Sequence, residues 1–591
     1  MKYYLGIANT FHDSSLALVS PLGEILFAEA NERYLQFKRA VNTSPEPFLR
    51  IESLLKYFLE PGAELCVAYT WSQAYQETIK PLLNQPDFQD FHNYIQTTPS
   101  QQIPEQLKDQ YYSSRFFIQS AIAAGQLSGL NLEFGLSQLS QAEQIHISDI
   151  RTYDHHLTHA ASACYSSGLN SAACAILDGY GEGMAYQSYL FQDNTLAPIN
   201  NSLPKYSAQS ASLGNFYMQI CKLCGFGLFH GEEWKVMGLA SYGKLDLKLY
   251  ELLSPLIRVE CLDLVQPDIT TSIGIYQELA NYRHQPGQSY LNVADLAFTA
   301  QQVFSERVYE YLSALHADTK LDSVVLGGGC LLNSATNGKI TEHTPFKHAH
   351  VFCAPGDDGN SVGAALLAYY QDHPNDHTTR TLQSPYLGSS VSTKHLQTLQ
   401  QFNPTAQTVE HTTVAKLAAN FLTQGKIIGW MQGRAEFGPR ALGNRSILAD
   451  PRSESVKDRI NAEVKFREAF RPFAPSILSD YGHDYFENFQ DSPYMERTLR
   501  FKPSVIAKVP GVVHVDGTGR LQTVKREWNP LFYDLIMEFY RLTGIPLVLN
   551  TSFNVMGKPI IHSIEDALAV FYTSGLDILI IENIVIEKNK S

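Results

Sequence analysis

The sequence predicts an α/β protein of two or three domains, and three observations predict it. At 591 residues the chain exceeds the size at which one hydrophobic core keeps growing. A strand, a glycine-rich turn and an apolar helix recur, as DSVVLGGGC before LLNSATNGKI and AHVFCAP before GDDGN and SVGAALLAYY. That order builds an α/β core with ligands at the strand ends. A polar run with Pro and Gly at 371–390, QDHPNDHTTRTLQSPYLGSS, lacks periodicity and divides the chain.

The elements follow in order. YYLGIANT, SSLALVS and EILFAEANER read as strands around a PLG turn. The same pattern returns at Ala172, in AACAILDGYGEGMAYQSYLF with a DN turn at Asp193, so an internal duplication is expected. THAASACYSSG between them reads as a helix. Beyond the break, TVAKLAANFLTQGKIIGWM reads as a helix running into a strand. The expected boundaries are a first domain over 1–375, a linker over 376–390 and a second α/β domain over 391–591.

Composition narrows the class. Apolar residues make up 44% and charged residues 18%, a soluble globular balance. A net charge of −14 argues against nucleic acid, whose binding needs clustered Lys and Arg, and is compatible with a small cationic substrate. No run approaches the roughly 18 apolar residues that cross a bilayer, and MKYYLGIANTFHD lacks a secretory h-region. The eight cysteines are scattered without a disulfide framework. Cys221 and Cys224 form a lone CxxC in a buried-helix pattern, read as core packing. A cytoplasmic location, with no membrane partner, is expected.

Three groups of residues carry chemistry. His155 and His159, spaced i, i+4, share one helix face, while His156 points roughly 100° away. Asp178 ends the apolar strand ACAIL and Asp357 follows VFCAPG. Two histidines and two carboxylates suit Fe²⁺, Mn²⁺ or Zn²⁺; Asp357 would also suit a helix N-cap. Gly327, Gly328 and Gly329 with Asn333 would let backbone approach a nucleotide, although a tight strand–helix turn would use the same glycines. Arg440, Arg445, Lys465, Arg467, Arg471 and Arg520 lie among Gly, Pro and small residues, not on an amphipathic face. With Ser552 and Asn554 at a strand end, they point to a phosphate or adenylate site.

With those motifs in place, the chain resembles the O-carbamoyltransferases of antibiotic, toxin and nodulation-factor biosynthesis. The motifs HDSS, DHHLTHAASA, WKVMGLASYG, GGGCLLN, PGDDG, FGPRALGNRSIL and KFREAFRPFAPS occur in that family's order over nearly all of the chain. The resemblance implies an N-terminal domain similar to tRNA threonylcarbamoyl transferases, in the sugar-kinase, heat-shock-chaperone and actin (ASKHA) superfamily, and a YrdC-like C-terminal domain. It implies a divalent metal, usually iron, on His155, His159, Asp178 and Asp357. The YrdC-like signature falls on Lys465, Arg467, Ser552 and Asn554, with Arg440, Arg471, Arg520 and Asn550 in flanking motifs. The implied chemistry turns ATP (as its Mg²⁺ complex) and carbamoyl phosphate into carbamoyl adenylate and pyrophosphate. Transfer of the carbamoyl group to the hydroxyl of a small natural-product acceptor follows in the N-terminal domain.

Joining two polyanions needs cations at their meeting point, which the arginine cluster supplies. Gly327–Gly329 and Asn333 would cradle the adenylate phosphate. His12 is the expected base for the acceptor hydroxyl, because an imidazole titrates near neutrality; Lys38, in RYLQFKRA, would hold the developing oxyanion. Trp234 stands where the family commonly has glycine and is expected to line the acceptor pocket. Residues 74–141 match no motif and are expected to shape acceptor specificity or dimer contacts; the sequence itself does not give the oligomeric state, and a homodimer is suggested only by the resemblance. Threonylcarbamoyl transfer to tRNA is the competing enzymatic reading, disfavoured by the acidic charge. A sugar-kinase-like enzyme would leave the KxR and SxN motifs unexplained, and a nucleotide-binding regulatory protein would need neither metal nor carbamoyl-phosphate cations.

Overall fold

Alternation of small and β-branched residues with turn signals makes the first strands a meander. The computed structural model describes residues 1–588 apart from 83, 85, 104, 138–144 and 379–380. Strands β1 (Lys2–Ala8), β2 (Ser15–Val19) and β3 (Ile25–Ala30) run antiparallel, and β4 (Glu64–Thr70) and β5 (His146–Tyr153) add in parallel. The resulting five-stranded sheet has the order β3-β2-β1-β4-β5. The second pass repeats it. Strands β6 (Ser171–Gly181), β7 (Met184–Gln192) and β8 (Thr195–Ile199) form the meander, and a separate hairpin pairs β9 (Arg258–Glu260) with β10 (Asp263–Val265). Strands β11 (Ser323–Gly327) and β12 (His348–Val351) then add in parallel, giving β12-β11-β6-β7-β8. Each sheet is thus an antiparallel triplet extended by two parallel strands, and the duplication read from the sequence is a repeated sheet.

Two helices lie back to back between these sheets. The helix His155–Tyr165 packs on β6 and β11, and the helix Asn360–Asp372 packs on β1, β2 and β4. Their close crossing depends on Gly363, where a methyl group would fall 1.9 Å from the carbonyl oxygen of Thr158. Both helices therefore start in one cleft between the sheets, and the site is built around those starts. The expected helix in LLNSATNGKI is instead three short turns, Gly329–Leu332, Ser334–Asn337 and Ile340–His343, because Asn333 caps a fresh turn by accepting from Thr336 N–H. Residues 73–137 are largely helical, with Gln73–Leu82, Pro86–Thr97, Glu105–Leu127 and Leu130–Ser137 as the main elements. Positions 138–141 of the unassigned insertion lie outside the described residues.

The last third forms a mixed nine-stranded sheet. Its strands are β13 (Ala406–Thr408), β14 (Ile428–Met431), β15 (Arg445–Ala449), β16 (Ala474–Leu478), β17 (Arg497–Arg500), β18 (Thr518–Val524), β19 (Leu547–Ser552), β20 (Ile578–Ile581) and β21 (Ile584–Glu587). They are ordered β13-β21-β20-β14-β15-β19-β16-β18-β17. Helices His411–Thr423 and Pro530–Thr543 pack together beside it around a core that includes the fully buried Trp430. Among its described residues the expected linker has no helix or strand between Asp372 and a lone bridge at Ser390, yet it is packed against both neighbouring parts. Leu387 is buried and its carbonyl accepts from Ala28 N–H at 3.0 Å, while Gly388 N–H donates to Ala435 at 2.8 Å. Positions 379–380 of that stretch lie outside the described residues. No helix among the described residues is long and apolar enough to cross a membrane.

Candidate active site

The cleft between the sheets gathers His155, His159, Asp178 and Asp357, all four buried, with ligand atoms within 4.8 Å of one another. Asp154 caps the first helix by accepting from Leu157 N–H, which fixes the first turn carrying His155 and, one turn on, His159. Asp178 lies near the end of β6, and Asp357 opens the turn into Asn360–Asp372. The two Nε2 atoms stand 3.2 Å apart and face the carboxylates at 3.3 to 3.8 Å.

Burial works against charge on His155, but the carboxylates of Asp357 and Asp178 push it up to about 10. Burial would likewise raise Asp178, and the His155 hydrogen bond brings it down to about 2. The pocket therefore attracts positive charge, which a cation could supply in place of protons. Asn360, fully buried, stands 3.5 Å from His155 Nδ1 on the side away from the cluster. With its amide oxygen turned to the ring it would accept Nδ1–H and leave the Nε2 lone pair for a metal. Convergent nitrogens, buried carboxylates and this outer partner fit a divalent ion.

His12 reaches the same cleft. Its Nδ1 is 3.0 Å from Asp13 Oδ2, 3.1 Å from Arg39 Nη2 and 3.5 Å from Asp357 Oδ2. Asp13 in turn grips Arg39 through Nε at 2.9 Å and Nη2 at 2.6 Å. Burial would raise the Asp13 carboxyl, but the Arg39 guanidinium and His12 hold it below the usual carboxylate range. Lys38 does not join them. Arg39 has a left-handed backbone (φ 60), so the turn sends the Lys38 ammonium outward to Glu32 at 3.7 Å and brings Arg39 in. The cation at this site is Arg39, a correction to the expectation for Lys38.

The glycine turn meets the buried His/Asp cluster directly. Gly328 has φ 93, and a side chain there would collide with Leu177 O at 2.2 Å. Beside Gly327, which ends β11, Gly329 N–H donates to Asp178 Oδ1 at 2.9 Å. Asn333 departs from its expected part: its amide caps the next turn and donates to Gln301 Oε1 at 2.9 Å, so it faces the protein.

The cationic residues of the last third also converge. Lys465 is buried, and its ammonium lies 2.6 Å from Asn554 Oδ1 and 3.2 Å from Ser552 Oγ, joining KxR to SxN. Burial and the guanidinium groups of Arg467 and Arg471 hold it well below the usual lysine range. Arg467 donates to Asn461 Oδ1 at 2.6 Å, and Arg520 adds its charge to Arg467, Arg471 and Arg440. Such crowding of cations around the carboxylate of Glu468 is the electrostatic mark of a polyanion site. Two expected members are elsewhere. Arg445 is fully buried, with its guanidinium taken up by the carbonyls of Gln432, Asn444, Ser389 and Gly433. Asn550 sits deeper in β19, its amide nitrogen shared among Ser476, Gln522 and Ala441, and braces the sheet.

The two clusters face each other. Arg440 Nη2 donates to Leu332 O at 3.1 Å, three residues from the glycine that contacts Asp178. Arg33 crosses the other way, from the first sheet's side to Gly438 O at 2.6 Å. Trp234, expected in an acceptor pocket, instead lies under Arg471, 3.8 Å from guanidinium carbon to ring centroid.

Against known proteins, residues 3–366 match the family model described as carbamoyltransferase N-terminus, and residues 419–588 match carbamoyltransferase C-terminus. The chain belongs to the carbamoyltransferase family. It is an enzyme of that family, and its relatives agree. Over 604 residues it is 32% identical to nodulation protein NolNO of Sinorhizobium fredii (strain NBRC 101917 / NGR234), covering 99% of this chain and 80% of the relative. Over 448 residues it is 35% identical to nodulation protein NolO of Bradyrhizobium diazoefficiens, covering 74% of this chain and 79% of the relative. Among solved structures, full-length HypF in its phosphate- and nucleotide-bound form aligns at 14% identity, with a TM-score of 0.36 over 62% of this chain and 55% of that one.

Several residues of this carbamoyltransferase site escaped the sequence reading. Asp13 stands beside His12 in HDSS, and Arg39 beside Lys38, so adjacency was the available signal. Trp71 gave none: its backbone is left-handed (φ 66), unusual for a bulky residue, and its ring lies 4.5 Å from that of His155. Glu182 binds Ser72 N–H at 2.6 Å and His155 N–H at 3.2 Å, tying that strained turn to the metal helix.

Proposed function

We propose that this carbamoyltransferase is an ATP-dependent O-carbamoyltransferase working in two steps at two facing sites. The repeated sheets with paired helices between them support an ASKHA-type reading of the first part, and Lys465, Arg467, Ser552 and Asn554 meeting at β19 support a YrdC-like reading of the last. The observation that carries the proposal is the contact of Arg440 with Leu332 O, which abuts the cation cluster and the turn touching Asp178.

In the first step, Lys465, Arg467, Arg471 and Arg520 draw ATP and carbamoyl phosphate together and offset their mutual repulsion. Water first cleaves carbamoyl phosphate, its oxygen taking the phosphoryl group away as inorganic phosphate and leaving carbamate. A carbamate oxygen then attacks the α-phosphorus of ATP, expelling pyrophosphate and giving carbamoyl adenylate. Mg²⁺ accompanies ATP. Crossing between abutting sites shields this hydrolysable intermediate from water.

In the second step, the acceptor hydroxyl gives its proton to His12. The proton goes to Nε2, since Nδ1 faces Asp13 and Arg39. Arg39 stands where negative charge develops, held there by Asp13. His155, His159, Asp178 and Asp357 would hold Fe²⁺, with Mn²⁺ or Zn²⁺ also suiting the donors, and a bound ion supplies Lewis-acid polarisation of an oxygen. AMP leaves. The acidic charge supports a small-molecule acceptor over nucleic acid. The test is pyrophosphate release from ATP with and without carbamoyl phosphate; release independent of carbamoyl phosphate would overturn the reading.

A further inference from the structure

Trp234 and Lys235 sit on a helix of the first part, Glu233–Ala240, yet their side chains reach the loop between Lys465 and β16. Lys235 is buried, and its ammonium bonds Glu468 Oε1 at 3.0 Å across the junction and Glu232 Oε1 at 2.7 Å on its own side. Gly238 packs by Pro472, whose Cδ would lie 3.6 Å from a Cβ there. Between these two attachments the Arg471 guanidinium lies 3.8 Å from the Trp234 ring centroid. The indole is fixed in turn, its N–H donating to Gly231 O at 2.9 Å.

The geometry has a purpose that a simple salt bridge would not serve. Lys465, Arg467 and Arg520 surround Arg471, and like charges push a guanidinium out of such a cluster. A carboxylate clamp on both of its edges would hold it but occupy the donors. Its one carboxylate contact, Nη1 to Glu468 Oε2, is a long 3.4 Å. An aromatic face attracts the cation through its flat side and leaves the edge N–H groups free. Those are the groups that bind a phosphate bidentately.

We infer that Trp234 is a positioning residue for Arg471, so that the polyphosphate site of the last third is completed by a side chain of the first part. The inference rests on the cation cluster being the phosphate site of the first step. It places Trp234 in control of nucleotide and pyrophosphate affinity, not of acceptor shape.

Inorganic pyrophosphate is the probe, titrated calorimetrically into the full-length protein and its W234A, W234F, R471A and W234A/R471A variants. Loss of the ring should weaken binding roughly 5- to 30-fold, and Phe should restore most of it. The double variant should bind no more weakly than R471A alone, since Trp234 acts through that residue. A general structural role would instead give additive losses and no rescue by Phe. Unchanged binding in W234A, or additivity, overturns the inference while leaving the phosphate site standing. Failure of the unmutated protein to bind pyrophosphate overturns the phosphate-site reading and the inference with it.

Discussion

The Arg440 guanidinium donates to the carbonyl oxygen of Leu332 at 3.1 Å, although the two residues lie in different thirds of the chain. One belongs to the cation cluster of the last third and the other to the turn that touches Asp178. On the proposed two-step reading, each side of this contact can be damaged alone, so the steps should separate by mutation.

Arg440→Ala or Lys465→Ala should abolish carbamoyl-phosphate-dependent pyrophosphate release. His155→Ala should leave that release within about threefold and stop carbamoyl transfer, with bound metal lost in elemental analysis. Equal loss of both steps in the His155 variant would contradict the division between sites.

Arg39→Ala should slow transfer about 100-fold or more and leave pyrophosphate release intact, because it removes both a cation and the partner of Asp13. Lys38→Ala should change either rate by less than about threefold, its ammonium being half exposed on Glu32. Single-turnover transfer rates distinguish the two.

Glu46 is fully buried beneath the helix Leu130–Ser137 and accepts from Gly129 N–H. Burial pushes its carboxyl from 4.5 up to about 7. The folded state therefore holds a proton that the unfolded chain releases between pH 4.5 and 7, and stability falls as pH rises through that window. Glu46→Gln should gain stability relative to the parent at pH 8 and not at pH 4, by up to about 3 kcal/mol. Thermal melting at both pH values reads the difference, and an equal shift at both would rule this out.

Gly363→Ala should destabilise the fold by about 1–3 kcal/mol or more, since the added methyl meets Thr158 O at 1.9 Å. Spreading the two helices also displaces Asp357 from His155, so metal affinity should fall in the folded variant. Denaturant midpoints and metal titration test the two effects separately.

Much of this was legible because local patterns carried it. The β1–β3 and β6–β8 strands and the helix with His155 and His159 on one face follow from periodicity, turn residues and i, i+4 spacing. The strand-end places of Asp178 and Asp357 and the family resemblance added the two carboxylates that meet them. What escaped depends on long-range packing or on unusual backbone. Nothing in FKRA says that a left-handed Arg39 turns inward and Lys38 outward. Arg445 and Asn550 share the composition of a phosphate site, but the carbonyls of Gln432, Asn444, Ser389 and Gly433 take up the one and Ser476, Gln522 and Ala441 the other. The contact of Trp234 with Arg471 was not legible either, because no local signal tells which neighbouring loop an indole will meet.

The repeated sheet has a last consequence. The turn after β1 bears His12 and Asp13, and the corresponding stretch of the second copy, towards the end of β6, bears Asp178. At matching places the two sheets thus carry unlike side chains: an imidazole beside a carboxylate in one, a lone carboxylate in the other, with His155, His159 and Asp357 contributed by the helix and turn between them. One repeated topology therefore sets unlike side chains around a single cleft, an asymmetry that two identical copies could not provide.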